Sequence, residues 1–237
     1  MADVLKVTRI DDHAVFGPCV FLEALVDDAE TVRGAYAEQA PRWPQLHFAV
    51  AQPTQAALDP WYRLGFAQMH AYAAQPSGGE RYEAPGIAIR RGGIDDLETA
   101  LRIDALVYEE QAAPPSYSTY EPDPGEQRAV WIETLEGDDV LYYVAERDGR
   151  PVGHTTLYPD PEDAEALHLA STAVLPEERG SGIGRALTAH ALAVAAERGF
   201  PRLRTNWRVT NLVASRYWPA RGFELTHIRL VRQVPGL

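Results

Sequence analysis

The feature that most constrains the fold is a glycine-rich stretch, PEERGSGIGRAL at 176–187, which lies between a predicted strand and a predicted helix. Before it, the apolar and β-branched run ALHLASTAVL at 166–175 is typical of a strand that Pro176 ends. After it, apolar residues recur at helical spacing from Ile183 to Val194 and predict an amphipathic helix. A strand, a glycine turn and a helix in this order predict a sheet with helices packed against it.

The turn has the chemistry of an anion site. The first N–H groups of a helix lack intrahelical partners and carry partial positive charge. Gly180, Gly182 and Gly184 have no Cβ atoms to keep a phosphate away, and Arg179 and Arg185 add positive charge. The stretch therefore favours a diphosphate ligand, with an ordinary turn that needs glycine for positive φ as the alternative. It lacks the Gly-Lys-Ser/Thr of a P-loop and the context of a dinucleotide fingerprint.

The remaining pattern mixes strands and helices. Two β-rich runs flank Asp148 and Gly149, which form a strong hairpin signal and predict an antiparallel pair. Further strands are predicted in GIAIRR, RLRTNWRV and FELTHIRLVRQV, and helices in GIDDLETALRIDALVYEE, QRAVWIETLEG and TNLVASRYWPARG. The predicted class is α/β (α+β) with a mixed sheet.

A change of composition divides the chain. The stretch QPSGGERYEAPG at 75–86 combines Pro, Gly, Ser and charged residues without periodicity, which is typical of a linker. We therefore predict a short domain at 1–75, a linker at 76–86 and a longer domain at 87–237.

Charge and composition limit the partners. The net charge of −12, without a Lys/Arg-rich run, predicts that no nucleic acid is bound. It favours cationic or neutral small partners, although solubility alone explains it equally well. No apolar run is long enough to span a membrane, and the start lacks a secretory signal, so we expect a cytoplasmic protein without a membrane partner. The lone Cys19 excludes a disulfide or a cysteine-based metal site and is expected to be buried; we expect no metal.

The run Arg179-Gly180-Ser181-Gly182-Ile183-Gly184 matches the Arg/Gln-x-x-Gly-x-Gly/Ala signature of the GNAT acetyltransferase superfamily. In the order the family requires, VAERDGRPVGHTTL resembles its second and third strands, and NLVASRYWPARGF its closing element. The resemblance covers roughly residues 86–235. It implies a mixed, mostly antiparallel sheet flanked by helices, and the activity of an acyl-CoA-dependent N-acetyltransferase.

The resemblance implies acetyl-CoA as the acyl donor, with its diphosphate on the loop amides. Pantetheine would lie where the fourth strand bulges and splays from the fifth, pairing with backbone around Ala173 and Val174. An N–H near Val174 would polarise the thioester carbonyl. The expected cofactor-binding residues are Ala173, Val174, Arg179, Gly180, Ser181, Gly182, Ile183, Gly184, Arg185, Asn211 and Trp218.

Direct transfer to an amine needs a group that takes the amine proton. Several members of the family place a carboxylate eleven residues before the signature's first residue, and His168 stands there in this chain. We hypothesise that His168 is the base, directly or through water, with Glu165 as the nearest fallback and His154 as a third. A histidine that only packs or bonds on the strand is the equal alternative.

The general acid departs from the family pattern. The position four residues before Gly222, which is frequently tyrosine, holds Trp218, and Tyr217 is one place earlier. An indole is no useful acid, so we predict that Trp218 packs against pantetheine and that the acid is weak or absent, unless the helix turns Tyr217 inward. Asn211 opens this helix as an N-cap or as a cofactor contact.

The acceptor is weakly indicated. A Pro-rich segment carries residues that could shape a pocket for a cation: Tyr108, Glu109, Tyr117 and Tyr120. A solvated loop is the favoured alternative. We predict a small, cationic amine acceptor, aminoglycoside-like or otherwise. Acetylation of a protein N-terminus, an acyl-CoA-binding module without turnover, a purely structural protein and a homodimer stay open.

The short N-terminal part contains a second copy of a C-terminal pattern. Shifting the chain by 157 residues places 46–70 on 203–227 without a gap. Six identities result: Leu46/Leu203, Ala57/Ala214, Trp61/Trp218, Gly65/Gly222, Phe66/Phe223 and His70/His227. The same shift places LEALVD at 22–27 on the glycine loop, and that segment cannot hold phosphates. We predict a tandem arrangement with a truncated, degenerate GNAT-like unit that binds no CoA, an unrelated subdomain being the alternative.

Overall fold

A computed structural model describes residues 4–13, 15–118 and 122–235. The strands are β1 (Leu5–His13), β2 (Gly17–Ala24), β3 (Leu46–Ala51), β4 (Ala67–Pro76), β5 (Ile87–Arg91), β6 (Leu141–Arg147), β7 (Arg150–Pro159), β8 (Ala166–Val174), β9 (Arg202–Arg208) and β10 (Glu224–Gln233). The α-helices are α1 (Ala29–Gln39), α2 (Gln55–Arg63), α3 (Leu97–Ala112), α4 (Pro124–Glu136), α5 (Ile183–Glu197) and α6 (Leu212–Ala220). Short 3₁₀ turns cover Ala40–Arg42, Ile94–Asp96 and Pro176–Glu178. In the described ranges, no helix has the length and apolar character needed to cross a membrane.

The backbone forms two compact units. Each contains segments that are separate in the chain, whereas the predicted domains follow one another along it. The first unit contains residues up to Ala73, Trp207–Val209 and the chain from Glu224 onward. The second contains Ala74–Asn206 and Thr210–Phe223. The last strand belongs to the first unit because β10 pairs antiparallel with β3 along its second half. The ranges 1–75, 76–86 and 87–237 stay a prediction.

Both units mix strand directions in the same way. In the first unit β1 and β2 are antiparallel, β2 and β3 parallel, and β3 and β10 antiparallel. In the second unit β5, β6, β7 and β8 are antiparallel neighbours in that order, and β9 follows β8 in parallel. The predicted α/β (α+β) class, with mostly antiparallel strands flanked by helices, is confirmed.

The core of the second unit fixes the start of α5 against the sheet. Ile183 and Leu187, one turn apart on α5, are buried against Ala145 of β6 and Val152 of β7. Full burial of such aliphatic side chains contributes about 1.5–3 kcal/mol each. On the opposite face of β6, α3 and α4 pack over Tyr142 and its neighbours, as the alternation of side chains along a strand requires. The loop before α5 is therefore held at the end of a rigid strand.

Cys19 of β2 has no exposed surface, and burial raises the pKa of its thiol. This is the packing role expected of it.

Candidate functional site

The loop between β8 and α5 leaves the start of the helix uncapped. Gly180 and Gly182 have φ of +83° and +88°, in the left-handed region that favours glycine. Gly182 is the N-cap residue and offers no side-chain hydrogen bond. The Ala186 N–H donates to the Gly182 carbonyl, so the amides that precede Ala186 in the first turn have no intrahelical partner. Unpaired amides at a helix start are the type of group that binds anions, so the predicted diphosphate site at this loop stays a prediction.

Hydrogen bonds of Glu178 and Ser181 stabilise the loop beside these amides. Glu178, whose side chain is only 12% exposed, accepts hydrogen bonds from Arg147 Nε and Arg150 Nη2, both at 3.1 Å. Ser181 Oγ donates to the Glu178 carbonyl at 2.6 Å. The Ser181 hydroxyl therefore stabilises the loop from within, and the loop is anchored to the β6–β7 hairpin.

The two arginines of the loop differ in their surroundings. Arg179 forms an exposed ion pair with Glu110 of α3, with 3.6 Å between Nη1 and Oε2. Within the described residues Arg185 has no ion pair, and its guanidinium carbon lies 3.9 Å from the centre of the Tyr82 ring. Arg185 is thus the cation of the loop whose charge is not already paired.

The parallel strands β8 and β9 separate before β8 ends. Their pairing runs from Ala166 with Arg202 to Leu169 with Thr205 and stops there. Ala170 is an extra residue in β8, because Leu157 of β7 opposes Leu169 and the preceding β7 residue opposes Ser171. The first four residues of β8 are buried and the last five are not. The bulge and the divergence that the resemblance implied are both present.

Backbone alternation shows which amides face this gap. Leu175 N–H donates to the Val152 carbonyl at 2.9 Å, and a Cβ on Gly153 would lie 2.9 Å from the Ala173 carbonyl oxygen. Alternate residues of a strand direct their N–H and C=O groups to opposite edges. Val174 therefore faces the gap, as expected. The Ala173 amide is directed at β7, which differs from the predicted pairing with pantetheine, and the Thr172 amide faces the gap instead.

His168 lies on the paired part of β8 with its ring oriented by neighbours. Its Nδ1 is 3.1 Å from Asp160 Oδ2, and its ring stacks on Tyr158. Burial opposes ionisation of Asp160, but hydrogen bonds from His168 and the backbone and the charge of Arg204, at 2.7 Å, lower its pKa overall. An ionised Asp160 accepts the Nδ1 proton, which makes Nε2 the basic atom of a side chain 11% exposed.

The two fallback bases have other surroundings. Glu165 is exposed and bonds to Arg202 Nη2 at 2.9 Å. His154 is fully buried, and burial lowers its pKa to about 3. Its Nε2 lies 3.2 Å from Ser171 Oγ. Both roles stay predictions; a histidine with so low a pKa is a weak base near neutral pH.

Asn211 and Trp218 both have structural partners at α6. Asn211 accepts from Ala214 N–H at 2.9 Å and is the N-cap. The buried Trp218 packs edge-on against Phe223, with 5.1 Å between ring centres. Their predicted contacts with the cofactor stay predictions.

Tyr217 is hydrogen-bonded toward α5. Its hydroxyl lies 2.7 Å from Thr188 Oγ1, which itself donates to the Gly184 carbonyl, so Tyr217 is the donor. Burial is the main reason that its pKa is raised. A Cβ on Gly184 would lie 3.3 Å from the Tyr217 oxygen. The absence of a side chain at Gly184 therefore makes room for Tyr217 of α6, and the predicted contact of Gly184 with the cofactor stays a prediction.

The comparison with known families decides the identity. The model described as the acetyltransferase (GNAT) family matches residues 104–223, half of the chain. The chain belongs to this family. The matched region includes β8, the glycine loop, α5 and α6, and so contains the loop, the gap and His168. The superfamily expected from the signature is confirmed, and with it an N-acetyltransferase family.

Two curated GNAT relatives and one solved structure are similar to this chain. L-2,4-diaminobutyric acid acetyltransferase of Nocardia farcinica is 35% identical over 101 residues, 41% of this chain and 51% of that protein, so the chain spans about half of its length. The putative [ribosomal protein bS18]-alanine N-acetyltransferase of Bacillus subtilis is 27% identical over 142 residues, 60% of this chain and 83% of that protein. A GCN5-related N-acetyltransferase from Kribbella flavida, 18% identical with a TM-score of 0.58, covers 100% of this chain and 89% of its own. That structure shows a shared fold that extends to the N-terminal part.

Sequence reasoning missed two residues that the structure places beside the gap and beside Arg185. Thr172 was missed because the direction of its amide depends on the register after the bulge. Tyr82 was missed because it lies in the predicted linker, outside the GNAT signature. No local pattern in the sequence reveals that this segment returns to α5.

The residues predicted to shape the acceptor pocket lie at the end of α3 and in the segment that follows it. Glu109 is exposed at the end of α3, which also carries Tyr108, and Tyr117 is 69% exposed. Tyr120 lies outside the described residues. Across 4–13, 15–118 and 122–235, no group of three His, Cys, Asp or Glu residues is placed to hold a metal ion.

Proposed function

We propose that this GNAT chain transfers the acetyl group of acetyl-CoA directly to the amine of a small, cationic acceptor. One observation carries the proposal: an uncapped helix start, led by Gly182, follows a strand whose last residues have lost their parallel neighbour. A diphosphate fits the first feature, and a chain of amides fits the second. The unpaired end of the strand comes shortly before the helix start, just as pantetheine adjoins the diphosphate in acetyl-CoA.

The donor is bound along β8. The amides before Ala186 and the unpaired charge of Arg185 hold the diphosphate. Pantetheine, which carries amide groups like a peptide, pairs with the free edge at Val174 as an added strand would. The Thr172 N–H lies farther from the phosphates, nearer the point where the strands part, and polarises the thioester carbonyl.

The reaction follows from these positions. The neutral amine attacks the thioester carbon and forms the C–N bond, while the Thr172 amide stabilises the developing oxyanion. His168 Nε2 takes the amine proton, directly or through one water. The C–S bond then breaks, and the thiolate takes a proton from water or from Tyr217 once that hydroxyl leaves Thr188. The products are the acetylated amine and CoA with a free thiol.

Charge supports a small cationic acceptor. The chain has a net charge of −12, and Glu110 near the end of α3 lies 3.6 Å from Arg179 of the glycine loop. An acidic surface attracts cations and raises their local concentration. The relative from Nocardia is named for a small diamino acid, which supports the same class of acceptor.

Steady-state thiol release tests the proposal. The full chain is incubated with acetyl-CoA and a panel of diamino acids, aminoglycosides and a peptide that begins with alanine. We expect turnover with a small cation. Turnover with the peptide alone would move the acceptor to a protein N-terminus. CoA binding without any turnover would instead indicate a non-catalytic acyl-CoA module, and no binding would refute the proposal.

We also propose that the N-terminal part is a degenerate GNAT-like repeat without a CoA site. After the 157-residue shift, the bounds of α2 coincide with those of α6, and the bounds of β4 with those of β10. Trp61 packs edge-on against Phe66 at 5.2 Å, as Trp218 packs against Phe223 at 5.1 Å. Calorimetry with CoA should give one site per chain; two equal sites would contradict the proposal.

A further inference from the structure

Tyr82 lies at the rim of the anion site, although it comes from the linker. A Cβ built on Gly182 would lie 2.5 Å from the Tyr82 hydroxyl oxygen, so the hydroxyl occupies the space that the glycine leaves. The ring of Tyr82 lies under the guanidinium of Arg185, at 3.9 Å. Tyr82 therefore spans the first turn of α5, from its N-cap residue to its first arginine.

The hydroxyl of Tyr82 is free to bind a ligand. In the ranges 4–13, 15–118 and 122–235 it has no hydrogen-bond partner, and neither Tyr82 nor Arg185 is engaged by a carboxylate. The neighbouring amides of α5 have no intrahelical partner either. A hydroxyl, a guanidinium and several amides without such partners thus lie around the first turn of α5.

The linker is held on α5, so the position of Tyr82 is not incidental. Gly78 N–H donates to the Leu192 carbonyl at 2.9 Å, and Ser77 N–H donates to the Pro201 carbonyl at 3.0 Å. Arg81 lies 3.6 Å from Glu197 in an exposed ion pair. These contacts place the linker along the helix before it reaches Tyr82.

We propose that Tyr82 binds the acyl donor, acetyl-CoA. Its ring positions Arg185, and its hydroxyl donates a hydrogen bond to the diphosphate of the coenzyme. The proposal rests on the proposed function, because it assigns one more contact to the same site. A ring under a guanidinium orients it at little entropic cost, and a hydroxyl beside α5 completes the donors around an anion. The linker thereby forms one wall of the site.

Tyr82→Phe isolates the hydroxyl, because it keeps the ring under Arg185. Calorimetry of the full chain with CoA and with dephospho-CoA should show affinity about tenfold weaker for both, the lower end of what a hydrogen bond to a charged group contributes. The ratio of kcat/KM for acetyl-CoA to that for S-acetyl-pantetheine, which lacks the diphosphate, should fall by the same factor. Tyr143→Phe is the matched control, since Tyr143 carries Arg91 at 5.5 Å on β6, away from the loop.

A double-mutant cycle tests the role of the ring. Tyr82→Ala and Arg185→Ala should each weaken CoA binding, and the double variant should lose less than the sum, since one residue acts through the other. Additive losses would overturn the positioning role.

The outcomes separate this proposal from the proposed function. If the unaltered chain does not bind CoA, the proposed function fails. If it binds CoA and Tyr82→Phe binds equally well or more tightly, only the proposal about Tyr82 is overturned. If Tyr82→Phe weakens CoA but not dephospho-CoA, the hydroxyl binds the 3′-phosphate, and the assignment to the diphosphate is overturned.

Discussion

The parallel strand pairs β2–β3 and β8–β9 begin alike and end differently. In the first, pairing runs from Cys19 with Leu46 to Glu23 with Val50, almost to the end of β2. In the second, pairing stops at Leu169, and within the described residues the rest of β8 is paired with β7 alone. A strand pair that closes along its length offers no backbone groups to a ligand, whereas one that separates offers a free edge.

The helices that follow repeat this contrast. Helix α1 is capped by Asp28, whose carboxylate accepts from Thr31 N–H at 2.7 Å. Helix α5 begins at Gly182, which has no side chain to do so. One helix start is therefore satisfied by its own chain and carries negative charge, while the other is open to an external anion. The same order of strand, turn and helix thus gives a closed structural element or an open site.

Converting the open helix start into a closed one should have the largest effect. Gly182→Asp places a carboxylate at the start of α5, where it opposes the diphosphate; aspartate and asparagine both meet the Tyr82 hydroxyl there, so only the charge differs between them. We expect affinity for CoA to fall about a thousandfold, since like charges brought together cost several kcal/mol. Gly182→Asn is the control, because asparagine tolerates left-handed backbone and adds no charge. Equal loss in both variants, by calorimetry, would show that strain rather than charge is responsible.

Removing the amide that faces the gap should lower the rate of transfer. Thr172→Pro deletes an N–H that has no ladder partner, so we expect kcat to fall about a hundredfold with little change in melting temperature. Ala173→Pro deletes an N–H directed at β7 and should destabilise the fold instead. Thr172→Val retains the amide and controls for loss of the hydroxyl. A reversed result, with the Ala173 variant stable and the Thr172 variant unfolded, contradicts the assigned directions.

The two units also contain histidines of opposite kind. His47 of β3 is buried with both ring nitrogens bonded, to the Tyr36 hydroxyl and to the Pro44 carbonyl, each at 2.7 Å. Among the residues that the structure describes, His168 has a partner at Nδ1, Asp160, and none at Nε2. His168→Gln should lower kcat about a hundredfold and flatten the acid limb of the pH–rate profile. His47→Gln should lower stability and leave the profile unchanged; an unaltered profile in the His168 variant removes its role as base.

The smallest effect is expected at the tryptophan–phenylalanine pairs that the proposed repeat and the C-terminal pattern share. Trp61→Phe and Trp218→Phe each replace a buried indole that packs on a phenylalanine with a smaller phenyl ring. Chemical denaturation should show similar losses, about 1 to 3 kcal/mol of unfolding free energy, for the two variants. A loss confined to one of them would contradict equivalent packing and weaken the proposed repeat.

The sequence predicted the local parts of the site and missed the parts that depend on register or on distant segments. Strand β8, the glycine loop and α5 follow one another within the chain, so β-branched residues, Pro176, Gly182 and helical periodicity were enough to predict them. Edge directions at Thr172 and Ala173 depend on one extra residue in a bulge, which side-chain alternation does not reveal.

Contacts between separate segments were not predictable for the same reason. Asp160 reaches His168 across a turn, and Tyr82 reaches Arg185 from a linker whose composition only indicates a loop. At Gly184 the missing side chain also accommodates Tyr217, from a helix that follows much later in the chain, and the signature does not reveal this contact.

The most direct test of this account is a crystal structure of the full chain with saturating CoA. It should show the diphosphate on the amides that precede Ala186 and pantetheine along Thr172 and Val174, with no ligand at β2 and α1. Coenzyme bound beside Asp28, or ordered elsewhere while the loop before α5 stays unoccupied, would contradict the claim that the separated strand pair and the uncapped helix make the site.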